Sequence, residues 1–279
     1  MLVEQVVRRN RRRIALVTAV ALVNYWVLLE ILLGLPAALK IVVRHHPPIL
    51  LAIALCLVIP GLVAAKLLAD QLREMDAETL DDQGAVMIGS GELPLVEDLL
   101  RDLGIAVGTS PVRAALVADD APNVLTVGRR PCGTTVVVTS GLVEKLSRDE
   151  LEAVLAAELW AVRRYDTAMQ TVTQACAGDA VATHRCFSSR WTDPRSWLWI
   201  AVTFPTMLVA ELVRHRLLRD ADVGADEMAL ATIRHPEALR EAMVKLRDDP
   251  AVVATLDLRT APLRFEPIPH SGDRQASTY

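Results

Sequence analysis

The fold is decided by one stretch of the chain, residues 146–161, which reads LSRDELEAVLAAELWA. The stretch opens with a capping box, because Ser147 can accept a hydrogen bond from the helix start and Glu150 follows three residues later. Leu151 and Leu155 then recur at helical spacing. Residues 146–161 therefore predict an amphipathic helix, and such a cap contributes about 1 kcal/mol to its start.

Short strands and a further helical region are predicted upstream of this helix. Residues 71–110 read as mostly helical, with an amphipathic stretch at Leu95–Leu103. Strands are predicted at Val112–Val117, Val124–Val127 and Thr134–Thr139, the last being rich in β-branched residues. The pattern predicts an α+β fold that is mainly helical and holds a short β-sheet.

Two long apolar runs near the N-terminus predict membrane-spanning helices. Ile14–Leu35 is long enough to cross a bilayer, and Ile49–Ala65 lies at the lower length limit. Because positive charge favours the cytoplasmic side, we expect the N-terminus and the region after the second span to be cytoplasmic. The predicted domains are a membrane hairpin with its basic segment, residues 1–70, and a second domain, residues 71–279. The basic segment consists of Arg8, Arg9, Arg11, Arg12 and Arg13.

A further apolar run, residues 196–213, leaves the number of membrane spans open. Only Glu211 interrupts this run, and a weaker candidate lies at residues 167–182. One additional crossing would place the C-terminal part outside, whereas two crossings or none would keep it cytoplasmic. We expect a multi-pass protein of the cell membrane, in contact with the lipid bilayer.

The bulk composition excludes several classes of protein. The chain is 52% hydrophobic and has a net charge of −4, which argues against a general nucleic-acid binder. None of the four cysteines forms a Cys-x-x-Cys pair, and the chain is too long for a small disulfide scaffold. We expect free thiols in a reducing compartment.

Segments before and around the predicted helix resemble a known family. The matching segments are Ala121-Pro122-Asn123, Gly128-Arg129-Arg130, residues 136–142 and residues 146–156. They resemble the approach to the active-site helix of the HtpX-like zinc metalloproteases, in which His-Glu-x-x-His comes next. This chain continues with Ala157-Glu158-Leu159-Trp160-Ala161, and Asp166 follows where the family usually has an aspartate. The resemblance implies a zincin-like peptidase domain.

The resemblance also implies where zinc binds in active relatives. Histidines at positions i and i+4 share one helix face and can hold one Zn²⁺, whose water the adjacent glutamate activates. Here Ala157 and Ala161 have no donor atoms, and Leu218 stands where the family has a third ligand, a glutamate. We therefore predict no bound zinc or other cofactor, and Glu158 becomes a vestigial general base or an ordinary ion-paired helix residue.

Four more positions belong to the predicted site. Trp160 shares a helix stripe with residues 157 and 161, so its indole is predicted to fill the space that the imidazoles and the metal would occupy. Asp166 and Asp222 are interpreted as residues that hold helix ends or arginines. Asn123 lies in the first of the segments that carry the resemblance.

Three functions stay open on these grounds. The first is an inactive peptidase homologue, a pseudoprotease that binds unfolded or membrane polypeptides or pairs with an active paralogue. The second is a working zinc-dependent metalloendopeptidase with a non-standard metal site. The third is a structural membrane protein without a peptide groove.

Overall fold

The computed structural model of the chain describes residues 2–30, 49–89, 91–173, 175–176, 204, 208 and 228–249. The chain divides into two compact units. The first unit comprises Met1–Asn10, Ala77–Thr171 and Leu218–Tyr279, and the second comprises Arg11–Asp76 and Val172–Leu217. The predicted boundary between residues 70 and 71 stays a prediction.

The described part is mainly helical and contains a small mixed sheet, so the predicted fold class is confirmed. The helices are α1 (Leu2–Leu29), α2 (Ile49–Asp82), α3 (Pro94–Val107), α4 (Ser140–Lys145), α5 (Arg148–Arg163) and α6 (Pro236–Asp248). The strands are β1 (Val86–Met87), β2 (Arg113–Val117), β3 (Val124–Val127) and β4 (Thr135–Thr139). Residues 166–173 are also helical.

The sheet has the strand order β1-β2-β4-β3, in which β2 and β4 are parallel and the two outer pairs are antiparallel. Strand β1 was not predicted, because two exposed residues are too few to show an alternating pattern. The turn from β4 into α4 requires a glycine. A Cβ atom on Gly141 would lie 2.1 Å from the carbonyl oxygen of Asp120, which is closer than any real side chain comes.

Helix α5 lies at the centre of the first unit. Its residues Leu151, Leu155 and Leu159 are fully buried, and they belong to one hydrophobic cluster with residues of α3, α6 and the sheet. The leucines recur every four residues, so they line one face of the helix. This packing explains why a single amphipathic stretch could predict the centre of the domain.

Helix α1 covers residues 14–29 of the first predicted membrane span, whose last residues, 31–35, lie outside the described part of the chain, and α2 contains the second. By length and composition, Val3–Leu29 could cross a membrane, and it is the one such helix within the described residues. The second predicted span falls within α2, whose Leu57 carbonyl accepts a hydrogen bond from Trp26 Nε1 at 3.1 Å. The predicted segment at residues 196–213 lies outside the described residues, apart from residues 204 and 208.

Candidate functional site

Helix α5 begins with the predicted capping box. The Glu150 backbone N–H donates to Ser147 Oγ at 3.4 Å, and the Ser147 backbone N–H donates to Glu150 Oε2 at 2.7 Å. Lys245 Nζ also donates to that carboxylate at 2.8 Å. Burial alone would raise the pKa of Glu150, but the hydrogen bonds from Lys245 and Ser147 lower this pKa below its usual range. The carboxylate is therefore charged at neutral pH and fixes the start of α5 to α6.

Glu158 is half-buried on α5 and faces strand β3. The Thr126 hydroxyl donates a hydrogen bond to Glu158 Oε2, and Thr126 itself is only 2% exposed. A buried hydroxyl needs such a partner, because an unsatisfied one destabilises the fold by about 1–3 kcal/mol. This carboxylate therefore connects α5 to the sheet.

The indole of Trp160 contacts one polar group through its nitrogen and a second through its ring face. The Nε1–H group donates to Thr232 Oγ1 at 2.9 Å, and the Arg163 guanidinium carbon lies 5.1 Å from the ring centre. The ring also packs against the central hydrophobic cluster. The structure therefore fixes the Trp160 side chain towards the segment that precedes α6. Its predicted space-filling role stays a prediction.

Asp166 lies just beyond the end of α5, at 2% exposure. Its carboxylate accepts a hydrogen bond from Asn10 Nδ2 at 2.6 Å and pairs with Arg164 Nε at 3.1 Å. Asn10 Nδ2 also donates to the Arg164 carbonyl at 2.9 Å. Between them Tyr165 has φ = 64°, a left-handed conformation that non-glycine residues rarely adopt. The three polar groups thus hold a strained junction between α5 and the next helix.

Asn123 lies at the entrance to β3 and fastens it to the end of β4. Its backbone N–H donates to Thr139 Oγ1 at 2.8 Å, and its side-chain oxygen accepts from the Val124 N–H at 2.8 Å. Thr139 in turn caps α4 by accepting a hydrogen bond from the Leu142 N–H. The described hydrogen bonds of Asn123 thus stabilise the backbone where β3 begins and β4 ends.

A protein-family model matches most of this chain. Residues 94–275 match the family model described as peptidase family M48, which is more than half of the chain. The chain belongs to this family. The resemblance to HtpX-like peptidases that the sequence suggested is thereby confirmed.

Curated relatives within the M48 family carry the name "Protease HtpX homolog". The relative from Dictyoglomus turgidum is 30% identical over 184 residues, which is 62% of this chain and 60% of the relative. The relative from Thermococcus kodakarensis is 28% identical over 185 residues, 61% of this chain and 62% of the relative. The chain thus spans about three fifths of the length of these M48 relatives. No solved structure matches the chain.

The residues at the positions where the resemblance places the zinc ligands do not fit a zinc ion. Ala157 is 3% exposed within the hydrophobic cluster and Ala161 is half-buried, and neither side chain carries a donor atom. Within the described residues, no group of three His, Cys, Asp or Glu side chains is placed to hold a metal. Leu218 and Asp222 lie outside the described residues.

Three partners in the site were missed by sequence reasoning. Thr126, Asn10 and Thr232 contact Glu158, Asp166 and Trp160 respectively. A weak signal existed only for Asn10, the one uncharged residue within the block of arginines. The other two are common residue types in ordinary positions, so only the folded chain identifies them.

Proposed function

We propose that this chain is a catalytically inactive, membrane-anchored member of the HtpX-like peptidases, a pseudoprotease. The observation that carries the proposal is the pair Ala157 and Ala161, which stand on α5 where an M48 peptidase needs two imidazoles. A general base beside them has no metal-bound water to deprotonate, and ordinary water has a pKa of about 15.7. Leu218 extends the same loss to the third ligand position.

Glu158 also has a structural role that is compatible with inactivity. In a metalloprotease the glutamate must exchange a proton with a water molecule, so its carboxylate needs access to that water. Here Glu158 is half-buried and accepts a hydrogen bond from the buried Thr126 hydroxyl. A structural bond of this kind gives Glu158 a role that needs no zinc.

The proposed location is the cell membrane, with the N-terminus and the peptidase-like domain on the cytoplasmic side. Support comes from α1 and α2, on which large apolar side chains are exposed in the second unit. Leu16, Val23, Leu57, Val58 and Leu62 are among them, each more than 40% exposed. Side chains of this kind are stable in contact with lipid.

The proposed partner is an extended polypeptide, such as an unfolded or membrane protein or an active paralogue. An open depression of about 640 Å³ lies between α3 and the β1–β2 edge, and Met87 and Ile105 are among its lining residues. Val86 of the edge strand is 69% exposed, whereas the residues of β3 at the opposite edge are 1–5% exposed. An incoming strand could therefore extend the sheet at β1.

Metal analysis of the purified full-length chain tests inactivity. After extensive dialysis we expect far less than one zinc per chain, and about one in a variant with Ala157→His, Ala161→His and Leu218→Glu. The matched control keeps the two histidines but carries Leu218→Ala, and it should hold zinc more weakly. One zinc per parent chain, with cleavage of an unfolded substrate that Glu158→Gln and chelators abolish, would establish the working metalloprotease instead.

Photo-crosslinking tests the partner. A photoreactive residue at Met87 should capture an added unfolded polypeptide more efficiently than one at Val244, an apolar position on α6 with the same exposure, 43%. Equal capture at both positions, or none, would contradict the β1 groove and favour a purely structural membrane protein.

A further inference from the structure

Helix α1 has two unlike faces along its whole length. Asn10, Val17 and Ala21 are buried, with exposures of 1%, 4% and 7%. At about 100° per residue, these three side chains fall within about 40° of one another around the helix axis. One narrow stripe of α1 is therefore the face that packs against protein.

Asn10 fixes which side of the helix faces outwards in the first unit. Its amide donates to the Arg164 carbonyl and to the Asp166 carboxylate, both of which are buried. Rotation of α1 about its axis would break both hydrogen bonds and leave a buried carbonyl and carboxylate without them. At this turn of α1, the side opposite Asn10 is accordingly held towards solvent.

The outward side carries arginines whose charges are available. Arg8 and Arg12 lie about 160° from Asn10 around the axis, and Arg9 lies about 100° away. All three are exposed, and none forms an ion pair within the described residues. The arginine surface, defined as Arg8, Arg9 and Arg12, thus faces away from the protein.

The same outward side becomes apolar one turn later. Leu16, Val23 and Val27 lie within about 60° of Arg12 around the axis, and their exposures are 62%, 54% and 49%. A side that changes from cationic to apolar within one turn matches the change from phosphate headgroups to hydrocarbon at a bilayer surface. A nucleic acid or an acidic protein bound to the arginines would leave the apolar side chains of this side exposed to water.

We propose that the arginine surface binds the phosphate groups of anionic phospholipids where α1 enters the membrane. The inference rests on the proposed membrane location of α1 and adds to it a lipid class and a site. Guanidinium groups suit this role because they are weakly hydrated and bind phosphate oxygens through two parallel hydrogen bonds. Three such residues near an anionic surface should raise the apparent affinity by roughly tenfold to hundredfold.

Native mass spectrometry of the full-length chain in detergent, with equal phosphatidylglycerol and phosphatidylcholine, tests the site. We expect mainly phosphatidylglycerol adducts, and at least a tenfold lower preference after Arg8→Gln, Arg9→Gln and Arg12→Gln together. Lysine at the same three positions should keep most of the preference. The matched control replaces three exposed arginines of the first unit, Arg148, Arg234 and Arg240, with glutamine and should behave as the parent.

Two further arms separate the sources of failure. Excess glycerol phosphate should not displace the lipid, because the acyl chains contact the apolar part of the same side; displacement would indicate a site for free phosphate and overturn the proposal.

Flotation with neutral phosphatidylcholine vesicles tests the membrane location itself. A parent chain that floats but shows no preference for phosphatidylglycerol contradicts this inference alone, and a chain that does not float contradicts both proposals.

Discussion

Restoring the histidines should destabilise the metal-free protein, and the structure predicts by how much. Ala157 is 3% exposed and packs within the central cluster, so an imidazole there must displace its neighbours. Overpacking of a core costs about 1–3 kcal/mol. Ala161 is half-buried and should accept a histidine with a loss of roughly 0.5 kcal/mol, mainly from helix propensity. The sum is a loss of about 1.5–3.5 kcal/mol for the double variant.

Thermal unfolding in detergent measures this loss. For a chain of this size, about 1.5–3.5 kcal/mol corresponds to a Tm that is roughly 3–14 °C lower. In a variant that also carries Leu218→Glu, zinc at a hundredfold excess over its Kd should restore about 2.7 kcal/mol. Intrinsic tryptophan fluorescence can follow this unfolding, because Trp160 lies on the same helix as residues 157 and 161.

A matched variant separates metal binding from general stabilisation. Ala156 is also fully buried on α5, so Ala156→His should lower the Tm by a comparable amount and show no recovery with zinc. If the metal-free double variant unfolds at the parent temperature, room for the imidazoles still exists. That result would refute the reasoning that the site has been filled.

Three further predictions concern buried polar contacts. The depressed pKa of Glu150 means that its ion pair stabilises the fold above about pH 4.5 and loses that effect as the pH falls through the lower, folded-state pKa. Glu150→Gln should therefore reduce the free energy of unfolding by about 1–2 kcal/mol at neutral pH, because Lys245 loses a charged partner. In pH-dependent denaturation, the difference between parent and variant should shrink below pH 4.5. Asn10→Ala should cost about 2–4 kcal/mol and speed amide exchange at residues 164–168 more than in the sheet. Glu158→Ala should destabilise by about 1–3 kcal/mol and Glu158→Gln much less, since the glutamine oxygen still accepts from Thr126; equal effects in urea unfolding would contradict that bond.

The parts of the fold that could be predicted are those whose signals are local. The capping box of Ser147 and Glu150 and the leucine spacing predicted a helix, and α5 covers Arg148–Arg163. Strands β2, β3 and β4 were also predicted, and the run that forms β4 is rich in β-branched residues. Each of these patterns spans fewer than twenty residues, within which propensity and periodicity act directly.

The contacts that complete the site depend on residues far apart in sequence. The bond from Asn10 to Asp166 joins positions 156 residues apart, and the bond from Trp160 to Thr232 joins positions 72 apart. No periodic pattern encodes such a pair, because either residue alone is equally compatible with an exposed position. The left-handed Tyr165 was unpredictable for a related reason, since a glycine or asparagine would normally mark that conformation.

The survival of Glu158 is therefore weak evidence of catalysis in this M48 chain. A catalytic glutamate and a structural one place different demands on their neighbours: the first needs a metal-bound water, the second needs a donor. The described neighbours of Glu158 supply the donor, Thr126, while Ala157 and Ala161 supply no metal ligand. Loss of Glu158 would leave a buried hydroxyl without this acceptor whether or not the protein ever cleaves a peptide. A glutamate at position 158 beside alanines at positions 157 and 161 is therefore consistent with the proposed pseudoprotease, in which Glu158 serves packing.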